Sequence, residues 1–358
     1  MDAGNRRNGE VRSMVQRFWM WGGGLLVSFL FIWAAGAVFG DSVQPEVWDE
    51  AGGEYAVAPG TVRWRSEGWA DTLYGKYGMA VPDDRILESA AEKYILWGDS
   101  HAEALPVGGA GRAAAVYRAL AGGMPSMVTY GKSGRNVADY YFLIPQYEKN
   151  FPGVVGHAIL LSGLQDVLPD DHAEGSRFVH SPWRLVKAEY RPSAAKLALG
   201  GLVRKWSLGP LVKTVRRAAE VRLRFAPGEC AYAQARPSPA EPEEDMEAGW
   251  RYLVGALRAQ TDGELVFVYC PESPYLDGGE VVMRGREARL AELFGSVCRD
   301  MGVGFIDMTD RFNALYLASG AFPRGFLNSP PGTGHLNAVG QALVGQALHA
   351  HFEALERH

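Results

Sequence analysis

From residue 93 onward, short apolar runs alternate with longer segments whose apolar residues recur at helical spacing. The runs at 93–97, 126–130, 154–162, 264–270 and 303–307 predict strands, and the segments 101–121, 136–150, 245–261, 284–301 and 335–352 predict helices. Runs this apolar are buried on both faces, and their alternation with helices means βαβ units and a parallel sheet. Five strands with crossover helices predict an α/β fold, a flavodoxin-like three-layer α/β/α sandwich around a parallel five-stranded sheet. There is no internal repeat. By contrast, residues 41–90 are rich in Gly, Pro and charge without a sustained period, and read as a spacer and lead-in to a domain at 91–358.

Ahead of that spacer, residues 18–40 carry no charge. As a helix these 23 residues measure about 34 Å, enough for a hydrocarbon core of about 30 Å. Arg6, Arg7, Arg12 and Arg17 precede the run, while Asp41, Glu46, Asp49 and Glu50 follow it. The basic side should stay cytoplasmic. The expectation is a cytoplasmic N-terminus at 1–17, a single transmembrane anchor at 18–40, and a domain in the periplasm of a cell whose inner membrane holds the anchor. The competing reading is a signal peptide cleaved at Ala35-Gly36-Ala37. Against it stand the length of the run and the aromatics at its two ends, Phe18, Trp19 and Trp21, and Trp33 and Phe39.

The domain carries an insertion at about 170–244. Within it, 176–225 holds 12 Lys and Arg against Glu189 and Glu220, in a chain whose net charge is −5. Leu202, Val203 and Trp206, then Leu211, Val212 and Val215, fall at helical spacing on either side of Pro210. Such a segment could lie on an anionic membrane or glycan, or pack as a cap with a solvated basic face. A Pro-, Ala- and Glu-rich loop follows at 226–244. The acidic balance speaks against nucleic acid as a partner. Cys230, Cys270 and Cys298 lack CxxC spacing, so neither a zinc site nor a disulfide framework is indicated. Asp170-Asp171-His172 reads as an exposed loop in preference to a metal site, His157 as a buried strand residue, and no cofactor is expected.

Candidate chemistry sits at two places more than two hundred residues apart. The first predicted strand ends in Gly98-Asp99-Ser100-His101, and Gly334-His335-Leu336-Asn337 opens the last helix. A serine after a strand and a histidine before a late helix are how several α/β folds join a nucleophile to its base. Backbone N–H groups at a helix start would favour an oxyanion there. Asp99 is expected to shape the turn, since a sequence neighbour of the serine points elsewhere.

These two motifs resemble the SGNH/GDSL hydrolase superfamily. The resemblance covers 93–352 without the insertion and implies Ser100 as nucleophile and His335 as base. The superfamily usually places an aspartate two or three positions before the histidine, where this chain has Thr333 and Gly332. His335 is therefore expected to be held by a backbone carbonyl, as a Ser-His dyad, or by an acid from elsewhere, with Asp307 and Asp310 the nearest. Two further oxyanion donors are implied. Gly134 matches the glycine after the second strand, with Gly131 as fallback, and Gln165 replaces the asparagine after the third. Gly-Asp-Ser-His also resembles the SGNH domains of bacterial polysaccharide O-acetylation systems. That implies a membrane-anchored serine O-acyltransferase acting on a cell-surface glycan, with an integral-membrane acyltransferase as possible acyl donor. The alternatives are a carbohydrate or lipid esterase or deacetylase of the same fold, and an inactive glycan-binding assembly factor.

Overall fold

The computed structural model describes residues 3–357 apart from 43, 123–124, 171–174, 181, 278, 286, 330 and most of 188–242. The basic stretch beyond 187, the Pro-rich loop up to 242, Cys230 and most of Asp170-Asp171-His172 therefore lie outside the described residues.

The chain begins with a long helix, α1 (Ala3–Phe39). Its segment Met14–Gly36 is long and apolar enough to cross a membrane. Residues 41–90, read above as spacer and lead-in, instead form two antiparallel hairpins and a short helix. The hairpins are β1 (Glu46–Asp49) with β2 (Glu54–Val57), and β3 (Gly60–Trp64) with β4 (Ala70–Tyr74); α2 (Asp83–Glu88) follows. Four- and five-residue strands are too short to show a period, which is why the sequence pattern passes over them. Their ties to the domain are polar: Lys132 Nζ donates to Tyr55 O at 2.6 Å, Tyr74 Oη to Glu103 Oε1 at 2.7 Å, and Arg135 pairs with Glu54.

The domain proper runs β5 (Lys93–Gly98), α3 (Ser100–Glu103), α4 (Ala113–Ala121), β6 (Ser126–Gly131), α5 (Val137–Asn150), β7 (Val154–Leu161), a small hairpin β8 (Arg177–Val179) and β9 (Arg184–Val186), and α6 (Glu243–Arg258). It continues with β10 (Glu264–Tyr269), the hairpin β11 (Tyr275–Asp277) and β12 (Glu280–Val282), α7 (Ala288–Asp300), β13 (Gly304–Asp307), α8 (Thr309–Ser319) and α9 (Ala338–Glu356). The five-stranded sheet has the order β13-β10-β7-β5-β6 and every pairing in it is parallel. In chain order this is 2-1-3-4-5 read from the other edge, the flavodoxin-like arrangement expected.

Alternate side chains of each strand point to opposite faces, so one sheet makes two cores. Ile95, Trp97, Ile159, Leu161 and Phe267 face Tyr140, Tyr147, Trp250 and Phe294 of α5, α6 and α7. Tyr94, Leu96, Leu160, Val266 and Val268 face Tyr117, Val344, Leu348 and Phe352 of α4 and α9, and Phe312 of α8. Burying each such side chain is worth about 1.5–3 kcal/mol, and this double burial explains the near-continuous apolar strands.

The helix expected over 101–121 is broken. Ala104 adopts a left-handed conformation, φ 49°, and Leu105-Pro106 follows, where proline disfavours helix at the preceding residue and removes a donor. The helix resumes at Ala113. The insertion opens with the β8–β9 hairpin, whose Phe178 stacks on Trp183 at 5.1 Å between ring centroids.

Candidate active site

Ser100 begins α3 at the carboxyl end of β5, next to the crevice where chain order reverses between β5 and β7, the usual ligand position in open α/β sheets. Asp99 Oδ1 accepts the His101 N–H at 2.8 Å and caps the turn. The N–H groups of Glu103 and Ala104 close it on Asp99 O and Ser100 O, each at 3.0 Å. A helix of four residues has almost no macrodipole, so what α3 offers an anion is individual N–H groups.

His335 lies in the loop between α8 and α9. That loop is fixed on both sides: Leu336 bridges to Arg324, and Asn337 Oδ1 accepts from Val339 and Gly340 N–H at 3.1 and 3.0 Å, capping α9. The His335 ring lies 4.9 Å from the His101 ring, centroid to centroid, tilted by 34°. His101 directly follows Ser100 in the chain, so this ring contact puts the His335 loop against the turn that carries Ser100.

The acid that holds His335 is Glu67, in the turn between β3 and β4. Its Oε2 pairs with His335 Nδ1, and its Oε1 accepts the His335 backbone N–H at 3.0 Å. This two-point grip fixes the loop and the ring together and puts the ring proton on Nδ1, leaving Nε2 unprotonated in the neutral ring. Glu67 and His335 side chains are 15% and 23% exposed. Burial pushes the Glu67 carboxyl up, but hydrogen bonds from the His335 ring and backbone outweigh it and hold it below its ordinary value. The carbonyl-held dyad is therefore replaced by a carboxylate-held histidine. Asp307 is not that carboxylate: β13 is an edge strand with β10 and β7 between it and β5, and Asp307 Oδ1 accepts from Thr309 N–H at 2.8 Å to start α8. Asp310, in the first turn of α8, is exposed.

Gly334 is needed where it stands. Its φ is +74°, and a Cβ there would strike Glu67 Oε1. No linear pattern joins positions 67 and 335. The faint clue is Glu67-Gly68 between Trp64 and Trp69, a turn signal flanked by aromatics.

Buried Arg324, 3% exposed, organises the floor. It donates to Ser162 O at 2.9 Å, Cys270 O at 2.5 Å, Pro271 O at 3.3 Å and Gly334 O at 2.8 Å. One guanidinium thereby ties the ends of β7 and β10 to the His335 loop. Nearby, burial raises the Asp99 carboxyl, while burial and the charge of Asp99 push Asp166 up to about 7. Burial, with the charges of Arg324 and His335, holds His101 well below the usual histidine value and so neutral.

The remaining sequence candidates sit around this centre. Gln165 follows β7 in the loop below Ser162 and donates Nε2 to Ser162 Oγ at a long 3.3 Å. Gly134 is exposed in the turn after β6 with φ +83°. Gly131 ends β6 directly under α3, where a Cβ would collide with the Glu103 backbone, so it serves close packing of the serine turn. Among the described residues no group of three His, Cys, Asp or Glu is placed to hold a metal ion.

No protein-family model matches the chain, and no curated protein matches it. Among solved structures it is similar to a carbohydrate acetylesterase family member from Sinorhizobium meliloti, with 16% identity, 74% of this chain and 98% of that one covered, and a TM-score of 0.35. An extracellular lipase from Streptomyces rimosus gives 14% identity, 73% and 99% coverage, and a TM-score of 0.38. A member of the lipolytic G-D-S-L family from Veillonella parvula gives 16%, 74% and 99%, and 0.34.

Proposed function

We propose that the chain is an SGNH-type serine esterase or acyltransferase working through an acyl-serine intermediate. The observation that carries this reading is the Glu67 grip on His335 beside the Ser100 turn. A serine, an imidazole with a free Nε2 and a half-buried carboxylate on Nδ1 are the parts of a nucleophile–base–acid relay assembled from three remote segments. In the first half-reaction Ser100 Oγ attacks the ester carbonyl and its proton passes to His335 Nε2. The C–O bond to the alcohol breaks and His335 returns the proton to that alcohol. In the second half-reaction water or another alcohol gives its proton to His335 and attacks the acyl carbon; the bond from that carbon to Ser100 Oγ breaks, and His335 returns the proton to Oγ. The imidazolium formed in each half is stabilised by Glu67. The oxyanion is assigned to the Ser100 N–H and the Gly134 N–H, with the Gln165 amide joining once it leaves its weak bond to Ser162.

The finer reading is transfer of an acyl group to a surface glycan by an enzyme anchored through Met14–Gly36, with its domain on the periplasmic side. Its support is the resemblance of Gly98-Asp99-Ser100-His101 to O-acetylation domains and the arginines ahead of the span.

The test is a fluorophosphonate probe and p-nitrophenyl acetate. Wild-type protein should label at Ser100 and turn over the ester; Ser100→Ala should do neither while keeping its thermal midpoint. A folded wild-type protein that neither labels nor turns over overturns the enzyme reading in favour of a binding role. Adding an oligosaccharide acceptor and finding acyl-sugar in place of free acid distinguishes transfer from hydrolysis.

A further inference from the structure

The transmembrane helix is joined to the active site without a tether. Trp33 and Ala35 are half-buried and Gly36 is buried, while the residues of α1 from Met14 to Ile32 are exposed. The helical end of the span thus already lies against the globular part. Gly40 N–H still bonds back to Gly36 O at 2.9 Å. Asp41, 5% exposed, then accepts Arg65 N–H at 2.5 Å and Ser66 N–H at 2.9 Å through Oδ1. Ser42 pairs with Arg63 in both directions, N–H to O at 2.9 Å and N–H to Oγ at 2.6 Å. The next residue after this clamp in the β3–β4 turn is Glu67. From Gly36 to Asp41 the chain advances about 11 Å, helical to Phe39 and extended after it. A headgroup layer is about 5–7 Å thick on each side of the hydrocarbon core. The turn carrying Glu67 is therefore held at the level of the headgroups or just above them.

The same turn presents apolar surface. Trp69 is 62% exposed, and Leu327, on the loop that carries His335, is fully exposed. Both are tied to the clamp: the Arg65 guanidinium lies 4.4 Å over the Trp69 ring, and Asn328 donates to Arg65 O at 3.1 Å and accepts Gly68 N–H at 2.7 Å. A tryptophan and a leucine exposed on two hydrogen-bonded loops at headgroup depth form an interfacial anchor.

We propose that the mouth of the active site rests on the bilayer surface with Trp69 and Leu327 sunk into its headgroup layer, so that the substrate is an ester or alcohol held at the membrane, such as a lipid-linked one. The proposal rests on the anchored reading of Met14–Gly36 given above. In this arrangement the membrane supplies orientation. A substrate confined to the surface meets Ser100 by lateral diffusion, and Asp41 keeps Glu67 from moving independently of the anchor.

The test uses the full chain with Cys230→Ser in phosphatidylethanolamine–phosphatidylglycerol vesicles, carrying one nitroxide at a time at Leu327→Cys, Trp69→Cys, Phe29→Cys or Leu120→Cys. Leu120, 48% exposed in the last turn of α4, lies at the opposite end of the sheet and reports water. Collisions with a nickel chelate should be at least threefold fewer at 327 and 69 than at 120, with oxygen favoured. Equal nickel access at 327, 69 and 120 overturns the proposal. The label at 29 separates the two readings: if it is shielded while 327 and 69 are open, only the membrane-facing mouth fails; if it too is open, the anchor fails as well. Leu327 has no packing to lose, so its variant keeps the proposal testable if Trp69→Cys does not fold.

Discussion

Glu67 touches His335 twice, and the two contacts do different work. The backbone contact positions the loop, whereas the ring contact sets the tautomer and stabilises the imidazolium. Glu67→Gln keeps an acceptor for Nδ1–H but loses the charge, and Glu67→Ala loses both. Ester turnover should fall by about 10²-fold or more in Gln and further in Ala, toward the 10⁴-fold seen when a relay acid is removed. Loss of less than tenfold in Ala would show that Glu67 only braces the loop. Gly334→Ala should act on the same contact indirectly, because its Cβ occupies the place of Glu67 Oε1 and its φ of +74° disfavours a side chain. It should lose most of the activity while Ser100 still labels slowly. Asp166 offers a pH signature. Its folded value of about 7 exceeds the ordinary value of about 4. Its contribution to stability is therefore present below pH 4 and lost as pH rises through 7. Asp166→Asn should match wild type in thermal midpoint at pH 4 and exceed it at pH 8; equal midpoints at both would remove Asp99 as its strained neighbour.

At the level of elements, two buried polar devices hold the sheet behind the site. Trp97 Nε1 donates to His157 Nδ1 at 2.9 Å, and His157 Nε2 meets Glu148 Oε1 at 2.9 Å, linking β5, β7 and α5. The tryptophan donor requires an unprotonated Nδ1, so His157 is neutral with its proton on Nε2, and burial lowers its pKa accordingly. This contribution is complete above about pH 6.5 and is lost as pH falls through the depressed folded value. His157→Phe should cost about 1–3 kcal/mol at pH 7 by stranding the buried Trp97 donor, since Glu148 keeps its bond from Thr261, and should flatten the acid limb of the stability profile. The expectation of a buried strand histidine thus acquires a reason. Arg324 is the second device. Arg324→Met would remove the donor from four carbonyls, of which Cys270 O and Pro271 O are buried, costing on the order of 3 kcal/mol, and would free Gly334 in the His335 loop. Turnover should fall along with the denaturation midpoint; an unchanged midpoint would mean that water replaces the guanidinium.

For the whole molecule, the proposed anchor and the proposed active site are joined through the Asp41 clamp. Met14–Gly36 should carry the protein into the membrane fraction, and a reporter active only outside the cytoplasm should work when fused after His358. A soluble product beginning near Val38 would instead establish cleavage after Ala35-Gly36-Ala37. Cleavage there would also detach the half-buried helix end, so a folded, active product would show that the clamp at Asp41 stands without it.

Local periodicity carries most of the fold in one dimension. The apolar strands at 93–97, 154–162 and 264–270, the alternation with helices and the span near 18–40 are legible because burial acts on neighbours in the chain. The Ser100 turn and the His335 loop are legible for the same reason, each being a compact motif at an element boundary. The broken helix at Leu105-Pro106 was open to reading too, through the proline. Glu67 was not, nor were the short hairpins that deliver it. Its partner lies 268 residues away, and the contact leaves no mark on the local pattern except a glycine before His335, a position whose φ of +74° already favours glycine. Which acid pairs with His335 is settled in three dimensions, because a carboxylate and an imidazole recognise each other by position and charge in space, and the chain between them can be of any length.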